Sequence, residues 1–192
     1  MKPQVSLPEG YGQQFHIDLM KDRKLLLTVN GLGLAIAIVC AVPALFLVPI
    51  TALFDFSDGL GMYFLRFLVI LVGMVVYIIL HEAVHGVAMY HYSRVKPRFG
   101  FTGMYAYAGS DVYFDKKSYL VIALAPVVLW GVVLGVVSAW VPTSWFWVVH
   151  FIQLTNLSGA AGDIYVTWRF AKLPRDILVQ DTGVAMTVYD RC

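Results

Sequence analysis

Charge is missing from this chain in three long stretches, and that absence restricts its fold more than any motif does. Residues 25–54 hold no Asp, Glu, Lys or Arg; 67–93 hold only Glu82; 118–168 hold only Asp163. Each gap has room for helices of about 20 residues crossing a hydrocarbon layer about 30 Å thick. A soluble domain usually has about a quarter of its residues charged, against 14% here, with 59% hydrophobic. The expected fold class is an all-α integral membrane protein with about four transmembrane helices.

The spans fall at roughly 25–50, 62–90, 118–140 and 145–169. Pro43 and Pro49 lie late in the first, where a kink or an early end follows from the missing N–H. Pro126 lies inside the third. "VPTS" at 141–144 is a short uncharged turn, so the last two spans are expected to form a hairpin. The chain reads as one membrane-embedded domain, 1–192, with an N-terminal cytosolic or interfacial segment at 1–24, a core at 25–172 and a cytosolic tail at 173–192. No cleavable leader is expected, because the first 24 residues are polar.

Basic residues orient the spans. Lys21, Arg23 and Lys24 precede the first; Arg94, Lys96, Arg98, Lys116 and Lys117 lie between the second and third; Arg169, Lys172 and Arg175 follow the fourth. The positive-inside rule therefore places both termini and the 92–117 loop in the cytoplasm. The basic residues are dispersed along loops, so no nucleic-acid partner is expected. Cys40 and Cys192 supply neither a disulfide framework nor metal spacing. Nothing in the sequence sets an oligomeric state.

The loop "PRFGFTGMYAYAGSDVYF", 97–114, places Phe99, Phe101, Tyr105, Tyr107 and Tyr113 on one parity, with small residues largely on the other. That alternation, broken by Gly100, Gly103 and Gly109, predicts a membrane-associated β-hairpin between helices 2 and 3. A purely structural interfacial role and a substrate-binding role are both open for it. In the tail, "ILVQDTGVAMTVY" predicts a second hairpin turning at Thr182-Gly183. Its Asp-Thr-Gly triplet has no partner, and aspartic-protease chemistry needs two carboxylates sharing a proton.

His81-Glu82-Ala83-Val84-His85 has the H-E-x-x-H pattern inside the second span. Residues four apart differ by about 40° around a helix, so both imidazoles can reach one ion. Glu82, about 100° away, is placed to take a proton from water on that ion rather than to bind it. Ionisable groups inside a span are costly and usually functional; three stand together here. The expected cofactor is Zn2+.

Zinc needs a third protein ligand. His91 completes a histidine spacing close to the metzincin pattern, but Ala88 stands where that pattern has its turning glycine. On a continuous helix His91 faces about 240° away from His85. Asp163 is the stronger candidate, because a bound cation would offset the cost of a carboxylate in an apolar span. Depth agrees. His81 and His85 lie about 10–16 Å from the cytoplasmic loop at Tyr92, and Asp163 about 9–14 Å from Arg169 and Lys172. Asn156, two turns before Asp163 on nearly the same face, suits either an interhelical hydrogen bond or a substrate or oxyanion contact.

"HEAVH" in a span, the aromatic glycine-rich loop and "NLSGAAGD" in a later span together resemble intramembrane zinc proteases of the site-2 protease type. Size and layout look most similar to a small bacterial family of zincin peptidases. The resemblance covers about residues 60–170. Site-2 proteases typically carry Asn-x-x-Pro and an Asp-Gly pair; here Gly159 replaces the proline and Ile164 follows Asp163. The resemblance implies that His81, His85 and Asp163 bind zinc and Glu82 is the general base. It also implies that the 97–114 loop receives an unwound substrate segment as an added strand; Phe101, Gly103, Tyr105 and Asn156 are the candidate substrate-binding residues.

The function so expected is an intramembrane zinc-dependent endopeptidase. It would hydrolyse a membrane-associated protein or peptide near the cytoplasmic face of a bacterial cell membrane, with the lipid bilayer as its surroundings. The alternative is a non-proteolytic metal-binding scaffold, or an ion transporter using the same His/Asp cluster.

Overall fold

A computed structural model describes residues 4–18, 21–103 and 105–191. Cys192 lies outside that range. The elements run β1 Tyr11–Asp18, α1 Arg23–Leu47, α2 Leu60–Ser93, β2 Arg98–Phe101, β3 Ala106–Gly109, β4 Tyr113–Asp115, α3 Lys116–Trp140, α4 Thr143–Gly159, α5 Ala161–Ala171, β5 Leu178–Asp181 and β6 Ala185–Arg191. Helices α1, α2 and α3 are long and apolar enough to cross a membrane. The mostly helical expectation therefore holds, and sheets are added to it. The chain divides into two compact units: Met1–Val29 with His81–Pro126 and Gly162–Cys192, and Asn30–Leu80 with Val127–Ala161.

The first unit contains the strands. An antiparallel sheet of order β1-β6-β5-β4 joins the N-terminal segment, the tail and the residues just before α3. The tail hairpin turns at Thr182–Gly183 as read from the sequence, with Gly183 at φ +86, a conformation glycine adopts without steric cost. Strand β1 was not expected, and it makes an all-α description too narrow. Its partner β6 lies about 170 residues away, so no local turn signals the pairing. Val179, Val188, Ile177 and Phe170 are fully buried, and Phe170 stands against the rings of Phe15 and Tyr119. That apolar layer ties α5 and the start of α3 to the sheet.

The loop between α2 and α3 forms the small two-stranded sheet β2–β3, turning through Gly103 at φ +89. Its aromatic residues do not share one face. Phe99 pairs with Ala108, and Gly100 with Tyr107, so odd-numbered residues of β2 lie beside even-numbered residues of β3. Phe99 and Phe101 point one way and Tyr107 the other. A single parity cannot be carried around a hairpin turn of this length.

The second unit is helical. Trp147 donates to the carbonyls of Val48 and Pro49, where α1 stops short of Pro49. It is buried with Ala44, Leu53 and Val148. Arg66 is fully buried, donating to the Asp55 carbonyl at 2.6 Å and paired with Asp58. The fourth apolar stretch, expected as one span, is two helices: α4 ends at Gly159 and α5 starts at Ala161. Gly159 and Gly162 flank the break, and each costs a helix about 1 kcal/mol relative to alanine.

Candidate metal centre

Helix α2 runs unbroken through Ser93, so the i, i+4 relation of His81 and His85 is realised. Their rings lie 4.9 Å apart and nearly perpendicular. Ligand atoms of His81, Glu82 and His85 all fall within 4.8 Å of one another. Asp163 comes from the first turn of α5, where the positive end of the helix dipole favours a carboxylate. The helix break just before it therefore puts an acidic residue where its charge is best tolerated. One Asp163 oxygen lies 3.3 Å from Nε2 of His81 and the other 3.6 Å from Nε2 of His85. In a tetrahedral site with ligands about 2.0–2.1 Å from zinc, neighbouring ligand atoms are about 3.3 Å apart. The 3.3 and 3.6 Å spacings are compatible with those of a tetrahedral zinc site.

The chemistry of the donors points the same way. Nδ1 of His85 lies 2.9 Å from the Ile122 carbonyl, which can only accept, so Nδ1 carries a proton. That leaves Nε2 as the ring nitrogen turned toward the Asp163 carboxylate, 3.6 Å away. Both imidazoles are buried, which leaves little water to screen that contact.

Glu82 is held differently. Its Oε2 accepts the Ala108 N–H of β3 at 2.7 Å, so the carboxylate is oriented by a strand while His81 and His85 on α2 face Asp163. Strand β2 is seated on the same helix: a Cβ at Gly86 would stand 2.3 Å from Cζ of Phe99. Absence of a side chain next to His85 is what lets Phe99 lie there. On the other face Tyr107 covers both Gly100 and Gly183, and Gly109 lies against the Thr182 backbone. The strand bonded to Glu82 is thus wedged against the tail turn.

Other sequence candidates are placed elsewhere. His91 is exposed in the last turn of α2, edge-on to Tyr92. Asn156 belongs to the second unit, where it is fully buried. It accepts from the Tyr77 hydroxyl at 2.9 Å and donates to the Val127 carbonyl at 3.3 Å, an interhelical hydrogen-bond node. Phe101 is 70% exposed, Gly103 serves the turn, and Tyr105 accepts at its carbonyl from the Thr102 N–H. Asp181 closes its own turn: it accepts from the Tyr119 hydroxyl at 2.7 Å and the Gly183 N–H at 2.8 Å. Burial raises its pKa above the ordinary carboxylate value against the lowering effect of those bonds.

Residues 74–178, more than half of the chain, match a family described as "Putative zincin peptidase". The chain belongs to this family. The matched range of the zincin-family chain contains His81, Glu82, His85 and Asp163. It is also 28% identical over 118 residues to a protein of Pyrococcus woesei named "Uncharacterized 24.7 kDa protein in gap 5'region", across 59% of this chain and 51% of that one. The chain spans about half the length of that relative. No solved structure matches it.

Two supports of the centre were not read from the sequence. Gly86 follows the second histidine directly, but a glycine in an apolar helix does not announce which ring it admits. Pro126 is visible inside the third span, but nothing local connects it to His85.

Proposed function

We propose that this chain is a membrane-embedded zinc endopeptidase of the site-2 protease type, acting on a membrane-associated protein or peptide near the cytoplasmic face. The observation that carries the reading is the Asp163 carboxylate set against Nε2 of both histidines, with Glu82 alongside. His81, His85 and Asp163 hold the ion, and Glu82 stays free of it as general base. Zinc, when bound, lowers the pKa of its water to about 7 and polarises the scissile carbonyl. Glu82 takes the water proton and delivers it to the leaving amine. A transmembrane substrate must unwind first, because helical amides are internally bonded. The 97–114 loop receives the unwound segment as an added strand. In this reading α4 and α5 together complete a fourth span, and both termini lie in the cytoplasm.

The test is zinc content and cleavage of a fluorogenic transmembrane peptide by purified protein in liposomes. Asp163→Ala loses stoichiometric zinc, while His91→Ala keeps it; the reverse pattern rejects the ligand set. Glu82→Gln keeps zinc and lowers turnover by about 10²–10⁴-fold. Zinc retained by wild type with no peptide cleaved would favour a metal-binding scaffold or transporter instead.

A further inference from the structure

In a helix the carbonyl of residue i accepts the N–H of residue i+4. Pro126 has no N–H, and the carbonyl it deprives is that of Ile122. This is the carbonyl 2.9 Å from Nδ1 of His85. Pro126 is fully buried inside α3, and Ile122 is buried one turn before it. A proline in a helix interior frees one carbonyl that another group must satisfy, and here the freed carbonyl is the histidine's partner. A buried carbonyl left without a donor is itself unfavourable. His85 supplies the donor the helix cannot.

We infer that Pro126 is a positioning residue for the metal centre: by withholding its N–H it hands the Ile122 carbonyl to His85. That bond fixes the ring plane and keeps the proton on Nδ1, so that Nε2 is the atom turned toward Asp163. Metal-binding histidines commonly depend on such an outer hydrogen bond. Here the acceptor is created by a gap in the backbone ladder rather than by a side chain. The inference rests on the zinc reading above for its purpose, but the hydrogen bond itself is independent of zinc.

Two variants separate the missing N–H from the proline ring. Pro126→Ala restores the N–H and draws the Ile122 carbonyl back along the helix axis. An α-hydroxy analogue of alanine at 126, making a backbone ester, also lacks the ring but has no N–H. In metal-free, ¹⁵N-histidine-labelled protein, the His85 Nδ1–H resonance is expected in wild type and in the ester. In Pro126→Ala it is expected to be lost to exchange. Zinc affinity should fall about 10–100-fold in Pro126→Ala and stay near wild type in the ester. A Pro126→Ala protein that retains both the resonance and the affinity overturns the inference, as does an ester that behaves like alanine. A wild type showing the resonance but binding no zinc would instead reject the zinc reading and leave the hydrogen-bond assignment standing.

Discussion

Single residues here act through the groups they offer or withhold. Pro126 withholds an N–H, Gly86 withholds a Cβ, and Asp181 spends its carboxylate on a turn rather than on catalysis. Asp181 gives a pH signature. Its folded-state pKa is raised, with burial the leading cause, so the native state binds more protons than the unfolded chain as pH rises. Its contribution to stability is therefore full below about pH 4, the ordinary carboxylate value, and declines until the raised folded value is passed. Asp181→Asn removes the ionisation. The melting temperature of wild type minus that of Asp181→Asn should fall as pH increases from about 4; a difference that rises would contradict the assignment. The triplet containing Asp181 forms the tail turn, with the Gly183 N–H donating to the Asp181 carboxylate. Its other task, accepting from Tyr119 of α3, joins residues 62 positions apart and has no local signature.

At the scale of elements, the centre depends on a helix and a hairpin docked by two contacts, Phe99 on Gly86 and Ala108 on Glu82. Gly86→Ala is expected to divide them. Alanine favours α2 by about 1 kcal/mol, while the 2.3 Å approach forces the Phe99 ring away. Zinc content should be kept, and limited proteolysis at the 102–105 turn should accelerate several-fold. Loss of zinc with an intact hairpin would show that Gly86 supports the ion instead. Tyr107 gives a complementary test from the opposite face. Tyr107→Ala uncovers Gly100 and Gly183 and should cost about 1 kcal/mol of cross-strand and packing stabilisation, read as a lower melting temperature with zinc unchanged. Helix periodicity made the His81/His85 pair readable, because both residues lie on one element. Alternation and glycine placement marked strand-forming residues in 97–114. Their facing was not readable, since the turn between two strands decides which parities meet.

For the molecule as a whole, the proposed topology predicts opposite exposure of two loops. In a chain with Cys40 and Cys192 replaced by serine, Lys117→Cys should resist a membrane-impermeant maleimide on intact cells, whereas Thr143→Cys should react. Labelling of both or of Lys117→Cys alone would reverse the orientation or reject it. The sequence by itself determined the apolar spans, the histidine pair with its glutamate, and the lone aspartate of residues 118–168 as their candidate partner, because each follows from charge placement or from the period of a single element. The tertiary structure alone decided where that aspartate's carboxylate points and which backbone groups hold Glu82 and His85. It alone paired the N-terminal segment with the tail. Those are contacts between residues far apart in the chain, and neither hydropathy nor local propensity encodes which distant groups meet.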